Sequence, residues 1–173
     1  MSFLMVPSLK ADSITVGGLW YEFAYLDSGS AAFACAGACE PSSSGNSVEA
    51  GDPAWTFVST SPVVVTITDA FFSGNSFELF DSGSLAGSTP SVNIGYSCGD
   101  DPAVCLLDPN FSHAVFALGA GDHSLTIDAL DSPFGGGAAY FRVDAQATAV
   151  PEPGTFMLLT LGLCCVWFLR KTN

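Results

Sequence analysis

The segment 95–99 reads G-Y-S-C-G and matches the G-x-S-x-G pattern of the nucleophile turn in serine hydrolases. Ser97 would be the nucleophile, and His113 or His123 would be its base. Such a turn leads from a strand into a helix, whereas the residues after Gly99 predict a loop. A chain rich in Gly and Ser often contains this pattern by chance. We therefore expect no enzymatic activity, and a serine hydrolase stays as the last of three functional hypotheses.

Acidic side chains form two groups that could supply oxygen ligands to calcium, which takes roughly six to eight of them. The first group surrounds a pair of cysteines and the second accompanies the last predicted strands: Asp100, Asp101 and Asp108, then Asp122, Asp128, Asp131 and Asp144. Neither group has the D-x-D-x-D-G spacing of a dedicated calcium loop. We expect no metal and no cofactor, with a structural Ca²⁺ as the alternative.

Aromatic residues on one predicted strand could form a surface on which a sugar ring stacks. They are Trp20, Tyr21, Phe23 and Tyr25, and Phe71-Phe72 lies at the end of another strand. Side chains of a strand alternate between two faces, so either Trp20 or the other three must face outward or pack beneath the long loop that follows. Core packing is the commoner role for such residues. A carbohydrate-binding, lectin-like module is therefore the second hypothesis.

The charge distribution excludes one class of partner. The chain has 17 acidic and 4 basic residues, and Arg142 is the only cation between Ala11 and Pro153. A domain of this charge repels phosphate backbones, so we exclude nucleic-acid binding. Arg142 itself is expected to pair with an acid.

Short segments rich in Val, Ile, Thr and aromatic residues predict strands, because Gly, Ser, Asp and Pro separate them. The predicted strands are 14–16, 20–26, 56–59, 63–69, 76–81, 92–96, 114–118, 124–130 and 138–144. The segment 124–130 alternates clearly, with Leu125, Ile127 and Ala129 on one face. Frequent turns and no helical run predict an all-β domain, an antiparallel β-sandwich that is jelly-roll-like.

The C-terminal tail has three successive features. Pro151, Glu152 and Pro153 come first, 16 apolar residues follow at 154–169, and Arg170 and Lys171 come last. The apolar run predicts one C-terminal transmembrane helix, at the short limit for a bilayer. The two cations mark its cytoplasmic end. The prolines keep the preceding segment extended and accessible to an enzyme.

This tail, which begins V-P-E-P-G-T at residue 150, resembles the PEP-CTERM sorting signal of Gram-negative bacteria. The resemblance implies that exosortase, a membrane-embedded enzyme similar to transpeptidases, recognises Pro151, Glu152 and Pro153 and releases or transfers the preceding domain. It also implies that Arg170 and Lys171 act as the membrane stop. The segments 76–83, 121–127 and 135–143 resemble other small PEP-CTERM proteins and imply no site.

Four cysteines lie outside the tail: Cys35, Cys39, Cys98 and Cys105. An even number in an exported chain indicates two disulfide bonds, and four cysteines allow three pairings. Local pairing, Cys35 with Cys39 and Cys98 with Cys105, is favoured because each pair lies in one loop rich in Gly, Ser and Pro. A zinc site is disfavoured by the spacing and by the scarcity of histidine. The first pair would staple the long excursion 27–52.

We expect three parts: a signal-peptide remnant at 1–11 whose true start lies upstream, a β-sandwich ectodomain at 12–147, and the sorting signal at 148–173. The first hypothesis is an exported cell-surface or extracellular-matrix protein of a Gram-negative bacterium, with a structural or adhesive role. It would be held transiently at the inner membrane, processed by exosortase, and associated with exopolysaccharide. The lectin-like module, with or without Ca²⁺, and the serine hydrolase are the alternatives.

Overall fold

The computed structural model describes residues 11–37 and 39–147, which are mostly β-sheet. The sorting signal and the transmembrane helix predicted at 154–169 lie outside these residues, as do residues 1–10 of the predicted signal-peptide remnant. No helix of the described part is both long and apolar enough to span a bilayer. The elements in chain order are β1 (Asp12–Ser13), β2 (Trp20–Tyr25), β3 (Ser47–Glu49), β4 (Trp55–Ser59), β5 (Val63–Asp69), β6 (Phe71–Phe72), β7 (Ser76–Asp81), β8 (Ser84–Ser88), β9 (Ser97–Gly99), α1 (Pro102–Leu107), β10 (His113–Leu118), β11 (Gly121–Asp131) and β12 (Gly137–Ala145).

Ten of these strands form two five-stranded sheets. The first sheet has the order β1-β4-β11-β7-β8, the second has the order β10-β5-β12-β2-β3, and β6 pairs with β9 separately. The prediction of purely antiparallel sheets is wrong at two edges, because β1 runs parallel to β4 and β3 runs parallel to β2. Tight hairpins impose antiparallel pairing, whereas long connections leave the direction free. Both parallel edge strands are joined to their neighbours by such long connections, so both sheets are mixed.

The core lies between the two sheets and is rich in aromatic rings. Phe23 of the second sheet contacts Trp55 and Phe77 of the first, with ring centroids 5.9 and 5.5 Å apart. The predicted alternation of β11 is confirmed, since Leu125, Ile127 and Ala129 are buried in this core while the residues between them are half-exposed. Burial of these rings is the main force that holds the sheets together.

Most predicted strands are confirmed, and two have the predicted bounds, namely β5 and β7. The strands predicted at 14–16 and 92–96 are wrong. β8 was not predicted, because its S-L-A-G-S sequence has little β-propensity. Its pairing with β7 depends on the two-residue turn Ser82-Gly83, where both residues have positive φ, 50° and 78°. This conformation matches the twist of a hairpin and brings β8 back along β7.

The helix α1 contradicts the expectation of a loop after Gly99. Asp101 caps it by accepting a hydrogen bond from the N–H of Ala103 at 2.9 Å, and Pro102 occupies its first turn. Both are favourable signals at a helix start. Six residues are too few for a helical period to be visible in the sequence.

Candidate functional site

A cleft of about 670 Å³ lies on the outer face of the second sheet. Its walls come from the middle of β2, the segment 39–43, Phe71, Asp100 and the start of β12. We call it the acidic cleft, because its charged wall residues are Glu22, Glu40 and Asp100. Its size is in the ordinary range for small-ligand sites.

Both faces of β2 are covered, and the cleft lies between its outer face and the segments that cover that face. Tyr21, Phe23 and Tyr25 point into the core between the sheets, so Trp20 and Glu22 point outward. Trp20 packs there in a second apolar cluster with Cys105 and other residues. None of the four rings is more than 8% exposed, so the strand offers no sugar-stacking surface and its aromatic residues have the core-packing role that we considered commoner.

Two disulfide-closed excursions build the walls of the cleft. Cys35 is bonded to Cys39 and Cys98 to Cys105, so the local pairing is confirmed. The two excursions are joined across the cleft rim, where the N–H and hydroxyl of Ser43 donate to the carboxylate of Asp100 at 2.7 and 3.1 Å.

A second bond between the same two excursions runs from the side-chain amide of Asn46 to the carboxylate of Asp101 at 2.8 Å. These hydrogen bonds hold the pKa values of Asp100 and Asp101 below the usual range.

Glu22 lies at the floor of the acidic cleft and is 1% exposed. Neither carboxylate oxygen accepts a hydrogen bond of normal geometry within the described residues. The hydroxyl of Tyr140 is near enough to lower the pKa of Glu22 somewhat, but it donates its hydrogen bond to the carbonyl of Asp100 at 3.0 Å. In the sheet, Glu22 lies opposite Tyr140 of β12 on one side and opposite Glu49 of β3 on the other. Burial raises the pKa of Glu22 to about 7, and the nearby negative charge of Glu49 adds to this rise. Glu22 was not predicted as a site residue, although a lone acid within a strand of aromatic residues is a recognisable signal in the sequence.

One group of three candidate metal-ligand atoms occurs in the described part of the chain. It joins a carboxylate oxygen of Glu22 to the sulfurs of Cys35 and Cys39, all within 4.8 Å of one another. The two sulfurs are bonded to each other, so neither is the thiolate that a metal would require.

Most of the acids considered as calcium ligands already bond to other groups of the protein. Asp108 ends α1 and accepts hydrogen bonds from Asn110. Asp131 accepts from the hydroxyls of Ser76 and Ser91 at 2.7 and 2.6 Å, and these bonds lower its pKa.

The structure also divides the second acidic group between the two sheets. Asp122, Asp128 and Asp131 lie on β11 of the first sheet. Asp144 lies on β12 of the second sheet, where it is 2.8 Å from Arg142. The predicted pairing of Arg142 with an acid is confirmed, and its guanidinium also lies 4.6 Å from the ring centre of Trp20.

A smaller cavity of about 320 Å³ adjoins the acidic cleft, and both have Phe71, Gly137 and Ala138 in their walls. Two exposed rings border it, Phe72 and Phe134, whose centroids are 6.3 Å apart. They are 62% and 55% exposed. We call this pair the aromatic shelf. Phe72 belongs to the pair noted in the sequence, whereas Phe134 lies in a Gly-rich turn and was missed.

Ser97 is the first residue of β9, and α1 follows that strand, so Ser97 lies at the start of the strand and not in the turn between the strand and the helix. Both histidines are bonded elsewhere. His113 Nδ1 lies 2.8 Å from the carbonyl of Phe111, and His123 Nδ1 lies 2.8 Å from Asp81. Among the described residues, no hydrogen bond joins Ser97 to a histidine, so the geometry lacks the nucleophile–base contact of a serine hydrolase.

Comparison with known proteins identifies the C-terminal tail. Residues 149–171 match the family model of the PEP-CTERM protein-sorting motif. No curated protein and no solved structure was found to match the chain. The match includes Pro151, Glu152 and Pro153 together with Arg170 and Lys171, all of which lie outside the described residues. The chain therefore carries the sorting signal that its tail predicts, and this signal indicates an exported protein processed by exosortase, a membrane enzyme.

Proposed function

We propose that this protein is a structural or adhesive component of the cell surface or extracellular matrix of a Gram-negative bacterium, without enzymatic activity of its own. The sorting motif at 149–171 is the observation that carries the proposal. Two disulfide bonds support it, because they persist in oxidising compartments outside the cytoplasm. Exopolysaccharide is the proposed surrounding material, and the inner membrane holds the precursor only until processing.

We infer that the β domain is a jelly roll. The order β2-β12-β5-β10 in one sheet faces β4-β11-β7-β8 in the other, so most successive strands alternate between sheets. This arrangement winds two Greek keys around one core, which is the jelly-roll topology. Such a scaffold is rigid and leaves its loops and outer faces free for contact with a partner.

Sorting is tested by changing the recognition segment. We expect the unaltered chain, expressed in its native host, to leave the membrane fraction as a species that ends near residues 151–154. The combined changes Pro151→Ala, Glu152→Gln and Pro153→Ala should leave a membrane-bound species that still carries the tail. Fractionation followed by intact-mass measurement gives the result.

Pro133→Ala, which changes a proline of the described domain, is the matched control and should be processed normally. A wild-type species that stays in the membrane and ends at Asn173 would contradict the proposal.

A carbohydrate-binding role is the second candidate, and the exposed aromatic shelf favours it. Sugar rings present apolar faces that pack against such side chains. We expect Phe72→Ala and Phe134→Ala each to weaken glycan binding roughly tenfold, the effect of losing one well-packed ring. A glycan array followed by titration measures this, with and without a chelator to reveal any need for Ca²⁺.

Leu85→Ala is the control for these two variants, because Leu85 is 57% exposed and lies on β8 at the edge of the first sheet. An array on which the wild-type protein and both shelf variants give the same signals would reject the shelf as a binding surface.

A further inference from the structure

The acidic cleft has an unbalanced charge at its floor. Its charged wall residues are all acidic, and Arg142, the one cation of the described residues, is engaged by Asp144 at 2.8 Å. Glu22 shares the outward face of β2 with Ala24, which also borders the cleft, so its side chain points toward the cavity. Its oxygens are screened from bulk water and have no partner within the described residues.

Burying the carboxylate of Glu22 in this environment lowers the stability of the fold. A buried carboxylate without hydrogen bonds is strongly disfavoured, and a like charge directly opposite in the sheet increases the cost. Glu22 lies opposite Glu49 in this way, while Glu40 and Asp100 add negative potential from the rim. A cation that entered the cleft would offset both the cost of burying the carboxylate and its repulsion from the neighbouring acids. The unpartnered carboxylate is therefore a feature of a binding site.

The size and spacing of the cleft favour an organic cation. Within the described residues, its three carboxylates do not form a group of ligand atoms close enough to surround one small ion. The cavity of about 670 Å³ instead has room for a ring-sized molecule, with acceptors at separate points of its wall. Because the oxygens of Glu22 are almost completely buried, only a small projecting group of the ligand is suited to contact them. A primary ammonium group has the required charge and three donors.

The aromatic shelf narrows the ligand class. It borders the adjoining cavity, which has Phe71, Gly137 and Ala138 in common with the cleft. A ligand that fills both cavities would present donors and a positive charge at one end and an apolar face at the other. Sugars with a free amino group combine these properties in consecutive rings.

We propose that the acidic cleft binds the protonated amino group of an amino sugar, with the ammonium at Glu22 and a neighbouring sugar ring on Phe72 and Phe134. The proposal rests on the carbohydrate-binding candidate above and specifies its ligand. It does not depend on how the tail is sorted. The raised pKa of Glu22 is consistent with it, because the carboxylate gains most from a cation when its own environment disfavours its charge.

The test is calorimetric titration of the full chain in mild detergent near neutral pH. The probes are a β-1,4-linked glucosamine tetramer and its fully N-acetylated counterpart, which has the same rings without the charge. We expect the amino form to bind at least roughly tenfold more tightly, as a charge-assisted hydrogen bond at a desolvated site allows.

Glu22→Gln should abolish this preference, and it keeps the shape of the side chain. Glu78→Gln removes a half-buried acid from the first sheet and should leave the preference unchanged. Thermal unfolding of both variants verifies that they are folded.

Equal affinity for the two tetramers, no binding of either, or equal losses in the two variants would each overturn the proposal. Equal or tighter binding of pentalysine with the same dependence on Glu22 would also overturn it, and would indicate a basic protein segment as the partner. Failure of the proposal leaves the processed mass of the wild-type chain unchanged, so it is distinguishable from failure of the sorting function.

Discussion

Glu22→Gln is expected to stabilise the protein at pH values above about 7 and to leave its stability near pH 4 unchanged. Burial and the charge of Glu49 raise the pKa of Glu22 from 4.5 to about 7 in the folded protein. Below 4.5 the carboxyl group is protonated in both states and has no cost. As the pH rises from 4.5 to 7, the unfolded chain ionises first, so the wild-type protein loses stability.

Above pH 7 the loss has reached its full size, roughly 3 kcal/mol, because each unit of pKa shift corresponds to about 1.4 kcal/mol. Glutamine has no charge to bury and is free of this loss. The measurement is urea unfolding of both proteins from about pH 4 to pH 8, with the difference in free energy plotted against pH.

A second buried acid titrates in the same pH range. The difference in unfolding free energy between the wild-type protein and Glu22→Gln is therefore needed to isolate the effect of Glu22. Burial raises the pKa of Asp69 to about 7, despite hydrogen bonds from Asn75 and Ala70. Its effect is present in both proteins and cancels. Glu78→Gln, which makes the same chemical change on the first sheet, is the matched control, and an equal pH-dependent gain in that variant would contradict the assignment to Glu22. A Glu22→Gln protein that is less stable than wild type at pH 8 would show that the carboxylate has a stabilising partner.

Phe23→Ala is expected to destabilise the protein by about 3–5 kcal/mol, the usual cost of removing a fully buried ring. Phe23 is 0% exposed and lies between the sheets, where its ring centroid is 5.5–6.3 Å from those of four aromatic neighbours. The change removes contacts on both sheets and leaves a cavity that the rigid strands cannot fill.

Urea unfolding monitored by tryptophan fluorescence measures this loss. Phe72→Ala removes the same side chain from a position that is 62% exposed, and should cost less than about 1 kcal/mol. Similar losses in the two variants would show that the packing between the sheets does not depend on Phe23.

The predictions for Glu22 connect stability with function. One substitution is expected to make the protein more stable at neutral and alkaline pH and to remove its preference for an amino sugar. A binding site commonly keeps groups that an optimally stable fold would avoid. The lower stability of the wild-type protein above pH 7 and its preference for an amino sugar have one physical cause, the desolvated negative charge of Glu22. The single substitution should therefore remove both.

Much of the fold is visible in the sequence, because strand formation depends on local residue types. The alternation of Leu125, Ile127 and Ala129 with polar residues identifies β11 and its buried face. The features that were missed depend on partners distant in the chain or on very short segments. β8 forms because β7 is available as its neighbour, and the parallel edges form because long connections allow either direction.

The sequence by itself determined the sorting signal and favoured the disulfide pairing that the structure has. Pro151-Glu152-Pro153, the apolar run and the terminal cations act through their order along the chain, and each cysteine is bonded to one only 4 or 7 residues away. Only the tertiary structure decided the state of Glu22. On β2 it is one acid among aromatic residues, and it becomes a buried, unpartnered carboxylate because segments far along the chain cover the outer face of that strand. Burial and the electrostatic field sum over all neighbours in space, and the sequence of one strand does not contain them.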